Sequence, residues 1–471
     1  RRQRQMCIRD RVNIRSVKYM LKGMSVAATT LGCKVNQAET DSMLDMLKAA
    51  GANIVEFDEK ADIYIVNTCS VTNIADKKSR QMLHRARKMN PDGIVIAAGC
   101  YVQSAREILE QDEAIDIVIS NNKKKSITEI VNDYINVRNN EKNAPGKDHE
   151  AMEYFVDISR ETEYEEMGGH VPVGHTRAYV KIQDGCNQFC SYCIIPYVRG
   201  RIRSRSQEAI LAEVSELAEA GIKEVVLTGI HISSYGKDKN NEGALIELIE
   251  AISKIKGIKR IRLGSLEPGI ITEEFVERIS SNSKVCPHFH LSLQSGCDSV
   301  LKRMNRKYTC EQYFEKCDML RKAYKSPALT TDVIVGFPGE TEEEFAETVR
   351  YLTELNLYEM HIFKYSPRKG TVAAAMKEQV APEIKNERSD VLLKLAHDNK
   401  TAYEAQFEGC ELEVLVEEVV KKDNKTYLRG HTERYMDILI DVGDISMPES
   451  FVNSFVYVTY TQNGGNLPLL L

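Results

Sequence analysis

The stretch AYVKIQDGCNQFCSYCIIPYVRG, residues 178–200, decides how the rest of the chain is read. A strand-like apolar run ends at Asp184-Gly185, and the compact loop after it carries Cys186, Cys190 and Cys193 in a C-x3-C-x2-C spacing, with Tyr192 just ahead of the third thiol. Cysteine sulfur selects soft metals or iron–sulfur clusters. A cubane [4Fe–4S] cluster normally takes four thiolates, so three leave one iron open to another ligand, and an open iron is a reaction site. The competing reading is a structural zinc, which wants a fourth Cys or His at similar spacing. His175 lies upstream and His231 one strand further on.

A second trio of cysteines precedes this loop. Cys33 closes SVAATTLGC, Cys69 closes ADIYIVNTC and Cys100 closes GIVIAAGC, so each ends an apolar run of strand length. Helix-like stretches, QAETDSMLDMLKAAG and NIADKKSRQMLHRARKMN, lie between the runs. Alternating β and α elements predict a mainly parallel open sheet, in which the carboxyl ends of the strands gather along the edge where ligands bind. A lone Cys at such a place is usually a small buried residue. Three at equivalent places predict a second cluster, again with an open iron.

From about Thr176 to Asn399 a strand and then a helix repeat six times, through RAYVKIQ, EVVLTGIHI, RIRLGSL, HFHLSLQ, LTTDVIVGF and EMHIFKYS. This predicts an incomplete (β/α)6 barrel with its active site at the C-terminal strand ends, as in full barrels. Each strand runs out into polar or glycine-rich sequence, at Asp184-Gly185-Cys186, Gly229, Ser265-Leu266-Glu267-Pro268, Gln294-Ser295-Gly296, Gly336-Phe337-Pro338-Gly339-Glu340 and Ser366-Pro367-Arg368. Any one of these is an ordinary loop by default, but glycines also let a cofactor approach the backbone closely.

Composition sets the wider limits. A chain of 471 residues exceeds one compact core and suggests about three domains. Its 42% hydrophobic and 28% charged residues belong to a globular protein, and no apolar run approaches a membrane span. The opening RRQRQMCIRDRVNIRSVKYMLKGM is basic but lacks the apolar core of a signal peptide, so a cytoplasmic address is expected. Residues 1–23 read as a tail or as foreign to the native chain, with Met24 as an alternative start, and Cys7 is given no chemistry. Twelve cysteines without an export signal read as metal ligands or buried thiols, not disulfides; Cys286, Cys297, Cys310, Cys317 and Cys410 are taken as plain thiols. A net charge of −6 gives no global sign of nucleic-acid binding, so any RNA contact must come from local patches.

Three such patches stand out. Arg199, Arg201, Arg203 and Arg205 alternate in PYVRGRIRSR, and an extended strand would set all four on one face, to hold phosphates or to form a solvated charged edge. The helix containing Lys77, Lys78, Arg80, Arg85, Arg87 and Lys88 reads as a solvated face with an added role in RNA contact. From about Phe407 to Gln462, the runs ELEVLVEEVV, TYLRGHT, YMDILIDV and SFVYVTYT predict a small antiparallel β-barrel. Its RNA contacts would fall on Lys421, Lys422, Lys425, Arg429, Arg434 and Tyr435; a barrel that only packs against its neighbour is the alternative.

LGCKVNQAETD, VNTCSVT and AAGCYVQ, followed by DGCNQFCSYCIIPYVRGRIRSR, LGSLEP, HLSLQSG, MNRKYT, DVIVGFPGET, YSPRKGTVAA and GHTERYMD, resemble the radical S-adenosylmethionine (SAM) methylthiotransferases over nearly the whole chain. The resemblance implies a methylthiotransferase N-terminal domain over 24–140, a linker over 141–172, a radical SAM core over 173–400 and a TRAM domain over 401–464. It also implies two [4Fe–4S] clusters, on Cys186, Cys190 and Cys193 and on Cys33, Cys69 and Cys100. SAM would be held by Tyr192, Gly229, Ser265, Glu267, Gln294 and Gly336. LGCKVNQAETD is similar to the branch that methylthiolates carbon 2 of N6-threonylcarbamoyladenosine at tRNA position 37. Sister branches act on isopentenyladenosine or on a ribosomal-protein aspartate, and a zinc-containing RNA-binding protein is the alternative of another class. In that family, SAM cleaved at the first cluster yields a 5′-deoxyadenosyl radical, and a sulfur at the second is methylated by a second SAM before transfer. A low-potential electron donor and a sulfur source are implied as partners. The target adenosine lies in the single-stranded anticodon loop and can be splayed into a pocket.

Overall fold

The computed structural model describes residues 21–141, 152–168, 176–423, 425–443, 447–462 and 464–466. The expectations for residues 1–20, including Cys7, for residues 142–151 and 169–172 of the linker and for His175 lie outside them. Two compact units result. The first gathers the described residues up to 168 together with 184–188 and 193–205, and the second takes 176–183, 189–192 and everything from 206 onward.

The first unit is built on a six-stranded sheet in the order Asn53–Val55, Ser25–Thr30, Ile63–Thr68, Ile94–Gly99, Ile117–Ile119, Met152–Tyr154. Every pairing is parallel. Ile63–Thr68 and Ile94–Gly99 are buried along their whole length, which is why they read as continuous apolar runs instead of alternating ones. The helices Lys34–Ala49 and Asn73–Met89 follow the first and second cysteine-bearing runs, the latter started by the Thr72 side chain accepting from the Ala75 N–H.

Leu21 is fully buried in the core of this unit. Met152–Tyr154, placed in the linker by its sequence, is the sheet's last strand, and Glu165 reaches back to accept the Lys125 N–H. That strand is too short to show a periodicity; it is defined by what it pairs with.

In the second unit six strands, Arg177–Asp184, Glu224–Gly229, Arg260–Leu263, His288–His290, Ala328–Val335 and Glu359–Lys364, pair in chain order and in parallel, with single bridges Ile261 to Val285 and Leu266 to Leu291 joining the third to the fourth. This is the partial barrel. Helices such as Gln207–Glu219 and Glu342–Leu355 cover its outer face, packing Ile210, Val214 and Phe345 against Val180, Leu227, Val333 and Val335. Thr341 and Glu344 form a capping box at the start of Glu342–Leu355, fixing that helix directly after the Gly336–Glu340 turn.

The tail closes into a five-stranded barrel, Glu411–Lys422, Lys425–Thr432, Asp437–Asp441, Gly464–Asn466 and Phe455–Thr461, antiparallel except where Asp437–Asp441 meets Gly464–Asn466. Gly430 allows a close crossing at the bulge in the first strand: a Cβ there would lie 2.1 Å from the Leu415 carbonyl oxygen. The helix Pro382–Ala405 runs on past residue 400, and Ala328, Tyr358, Phe407, Val414 and Met436 share one apolar cluster. Arg262 adds a polar tie, donating to the Glu433 and Thr432 carbonyls while paired with buried Glu224 at 2.8 Å. The tail barrel and the (β/α)6 barrel therefore form one unit, not two.

Candidate functional site

The three N-terminal cysteines stand at the carboxyl ends of three neighbouring strands. Register pairs Thr30 with Asn67 and Thr68 with Gly99, so the chain leaves the sheet toward Cys33, Cys69 and Cys100 at one edge. Cys33 caps the helix Lys34–Ala49 and Cys100 opens the short helix Cys100–Ser104. Gly32, with φ +100°, lets the first loop close over the second: a Cβ on it would lie 2.7 Å from the Cys69 sulfur. Burial pushes the Cys69 thiol up to about 12, and the neighbouring Cys100 and Cys33 sulfurs push the same way. All three thiols thus feel one another.

A buried ion cluster underlies this edge. Arg199, fully inaccessible, donates its Nε to the Cys100 sulfur at 3.3 Å and its guanidinium to Glu39, to Asn36 and to Asp184 at 3.1 Å. Lys124, also inaccessible, takes the other side of Glu39. Burial opposes the Arg199 charge, but Cys100, Glu39 and Asp184 outweigh it and hold the guanidinium above its usual value. Burial pulls the Lys124 ammonium down, against the attraction of Glu39. Asn121 donates to the Val198 carbonyl at 2.8 Å, fixing the helix Ile195–Arg199 that presents the arginine.

The C-x3-C-x2-C loop is shaped by its glycines. Gly185 has φ +71°, and a Cβ there would fall 1.8 Å from the Arg201 carbonyl oxygen; the Cys186 N–H donates to the Gly200 carbonyl at 3.0 Å. Gly185→Ala is therefore expected to cost about 1–3 kcal/mol through backbone strain alone, with the clash adding to it. Hydrogen exchange should show faster amide exchange across residues 185–200 in the variant; exchange at the native rate would refute the tight crossing.

In the second unit Arg306 organises the surroundings of Cys190. It donates to the Cys190 sulfur at 3.3 Å, to Glu267 at 3.0 Å and to the Ser292 carbonyl at 3.1 Å, under the Tyr308 ring. Burial works against the Glu267 carboxylate, but His231 and Arg306 hold it below its usual value.

The remaining residues predicted to hold SAM fall out differently. Tyr192 packs with Val300, Met304, Phe337 and Tyr365. Gln294 is buried with φ +76°, its backbone bonded to Asp332 and Ile334. Ser265 is exposed and Gly229 half-buried. The Gly336 N–H is taken by Glu340, itself held by Arg388 at 2.6 Å, so that turn is braced from within. Arg306 belongs to MNRKYT, one of the motifs that carry the family resemblance.

The predicted arginine stripe is corrected. Arg199 ends a helical turn, Arg203 is buried beside Asp184 at 3.8 Å, and Arg205 is buried against Glu166 at 2.6 Å. Only Arg201 of the four is exposed, so the four do not share one exposed face. In the tail barrel Lys421, Lys422 and Lys425 are exposed at the first hairpin. Arg429 is paired with Asp437 at 2.8 Å, Arg434 bonds the Ser326 and Lys325 carbonyls, and Tyr435 stacks on His431. Arg429 thus pairs within the tail barrel, whereas Arg434 reaches the chain just before the strand Ala328–Val335. On the helix Asn73–Met89, Lys77, Lys78, Arg80 and Lys88 are exposed, while Arg85 and Arg87 pair with Asp58 and Asp116.

The donor set tests which metal group fits. Among the described residues only His290, Asp332 and His361 bring three ligand atoms within 4.8 Å of one another. The Cys33, Cys69 and Cys100 sulfurs are spread more widely than one tetrahedral zinc would hold them, since Zn–S bonds of about 2.3 Å place sulfurs within roughly 4 Å. A cluster whose thiolates sit on separate irons fits the wider spread. His231, considered above as a fourth zinc ligand, is engaged with Ser234 at 2.6 Å and Glu267 at 3.4 Å.

Comparison with known proteins agrees with this chemistry. Residues 180–352 match the Radical SAM superfamily and residues 25–120 the family described as Uncharacterized protein family UPF0004. The chain is 40% identical over 416 residues to the Threonylcarbamoyladenosine tRNA methylthiotransferase MtaB of Bacillus subtilis, covering 88% of this chain and 90% of that protein. It is 36% identical to the tRNA-2-methylthio-N(6)-dimethylallyladenosine synthase of Thermoanaerobacter pseudethanolicus, covering 92% and 90%. The fold resembles the radical SAM methyltransferase TsrM of Kitasatospora setae, with a TM-score of 0.54 at 15% identity over 72% of this chain and 73% of that one. With strand-end thiols, a partial barrel and relatives matched over nearly their full length, the chain belongs to the radical SAM methylthiotransferase family.

Proposed function

We propose that the chain adds a methylthio group to carbon 2 of N6-threonylcarbamoyladenosine at position 37 of tRNA. The observation that carries this reading is the placing of Cys33, Cys69 and Cys100 at one sheet edge in a chain whose barrel begins with C-x3-C-x2-C; the MtaB relative favours the threonylcarbamoyl branch. Cys186, Cys190 and Cys193 would hold one [4Fe–4S] cluster and Cys33, Cys69 and Cys100 another, each with an open iron position. When bound, these groups and SAM supply the radical and sulfur chemistry that an unactivated adenine C–H requires, beyond the reach of acid–base side chains.

The chain's own residues hold and tune these sites. Arg199 and Arg306 each donate a guanidinium N–H to the sulfur of a proposed cluster ligand. Glu267, kept ionised by His231 and Arg306, is suited to a cationic amino group of SAM, with Tyr192, Gly229, Ser265, Gln294 and Gly336 completing the proposed SAM contacts. Residues 21–168 are assigned the sulfur-donating role and 176–405 the radical role, with tRNA contact through Lys421 and Lys422 of the tail barrel and through Arg201. A low-potential electron donor, a sulfur source and a cytoplasmic setting complete the proposal; among the described residues no helix is long and apolar enough to cross a membrane.

Nucleoside analysis of tRNA from a deletion strain tests it. The 2-methylthio derivative of threonylcarbamoyladenosine should vanish while its unthiolated precursor accumulates. An unchanged nucleoside profile rejects the assignment, and loss of the isopentenyladenosine derivative instead would move it to the sister branch.

A further inference from the structure

Three adjacent strands of the partial barrel set His290, Asp332 and His361 together. Register places His290 opposite Thr330 and Asp332 opposite His361, so the three side chains share one face of the sheet. The intervening Leu329, Val333 and Val335 pack outward on the helices, which puts the trio on the inner face of the barrel. His290 Nε2 lies 3.4 Å from the Asp332 carboxylate, its Nδ1 is 3.0 Å from the Thr330 hydroxyl, and its ring stacks on His361 at 5.8 Å. His361 is exposed and also borders a cleft with His397 and Lys400 of the helix Pro382–Ala405. Leu329, Val333 and Val335 already supply the apolar packing against the helices, so two imidazoles and a carboxylate on the opposite face are not needed for it.

We infer that His290, Asp332 and His361 form the subsite that recognises the polar substituent on N6 of the target adenosine. The inference rests on the proposed tRNA substrate. A threonylcarbamoyl group carries a carboxylate, a hydroxyl and a ureido N–H. The imidazoles offer N–H donors to the carboxylate, and Asp332 offers an acceptor to the hydroxyl or ureido N–H. An isopentenyl group offers none of these, and its entry would take the trio out of water without giving its remaining donors and acceptors a partner, a basis for rejection. The trio is thus a specificity-determining site, placed to separate the two kinds of modified adenosine.

The test uses the full-length protein and two anticodon stem-loop RNAs that differ only in carrying threonylcarbamoyladenosine or isopentenyladenosine at position 37. Affinity for each RNA and the rate of methylthio transfer to each are measured. The native protein should prefer the threonylcarbamoyl RNA. His361→Phe should cut that preference by about ten- to a hundredfold, the loss of one charge-assisted hydrogen bond, mainly through weaker binding of that RNA. Asp332→Asn should do the same, and His361→Gln, which keeps an N–H donor, should retain most of it. If the native protein shows no preference, the proposed substrate fails. If it shows the preference and both His361→Phe and Asp332→Asn keep it in full, the subsite is overturned. Stoichiometric metal beyond cluster iron that disappears in His361→Phe would also overturn it, in favour of a cation held by two His and one carboxylate.

Discussion

Arg199→Ala is expected to lower the local stability of the first unit by about 3 kcal/mol, the lower end of the roughly 3–5 kcal/mol that follows removal of one partner from a buried ion pair. The lower end applies because the carboxylates are not wholly abandoned: Glu39 keeps Lys124, and Asp184 keeps Arg203 at 3.8 Å. What is lost is the group that ties Glu39, Asn36, Asp184 and the Cys100 sulfur into one network. Because the chain has two units, a single global unfolding energy is not a clean measure. Amide exchange in the helix Lys34–Ala49 is the better reading, with protection expected to fall about a hundredfold. Arg201→Ala, at an exposed position, should change stability by no more than about 0.5 kcal/mol. A phosphate-binding role for Arg199 predicts a different pair of results: native exchange protection, and a salt dependence of tRNA binding shallower by about one unit of slope. That pair would restore the arginine stripe as an RNA contact.

The error over Arg199 has an identifiable cause. Alternating arginines predict an extended strand, yet Ile195–Arg199 is a helical turn with Pro196 in its first turn and Gly200, at φ +72°, directly after it. Proline just inside the start and glycine just past the end are helix signals, and they were present in IIPYVRG. Glu39 was legible too. It falls on the i, i+4 ladder of Val35, Met43 and Leu47, all buried, and a carboxylate on the apolar stripe of an amphipathic helix demands a buried partner. The partner could not be named, because Lys124 and Arg199 are distant in sequence and meet Glu39 only through the packing of the unit. The cysteine edge, by contrast, was readable because buried parallel strands declare themselves as apolar runs and a parallel sheet brings their carboxyl ends together. His290, Asp332 and His361 escaped notice because their assembly depends on register, and strand register between segments tens of residues apart leaves no local mark.

Cys69→Ala is expected to reduce methylthio transfer below detection and to lower bound iron from about eight to about four atoms per chain, one [4Fe–4S] cluster being lost. The loss should be chemical and not a failure to fold. Cys69 follows the fully buried strand Ile63–Thr68, and its backbone is clamped from both sides by Ser79, whose hydroxyl accepts from the Cys69 N–H at 3.3 Å and donates to its carbonyl at 3.1 Å. Neither bond involves the thiol. Removing the sulfur also opens room beneath Gly32, where the approach is tightest, so no new clash arises. Cys286→Ala is the matching control, since Cys286 is a buried thiol of the other unit with no proposed ligand role; it should keep all its iron and its transfer activity. If Cys69→Ala kept eight irons and transferred methylthio groups at the native rate, Cys33, Cys69 and Cys100 would be a sheet edge of ordinary thiols, and the source of the transferred sulfur would have to be sought elsewhere in the chain.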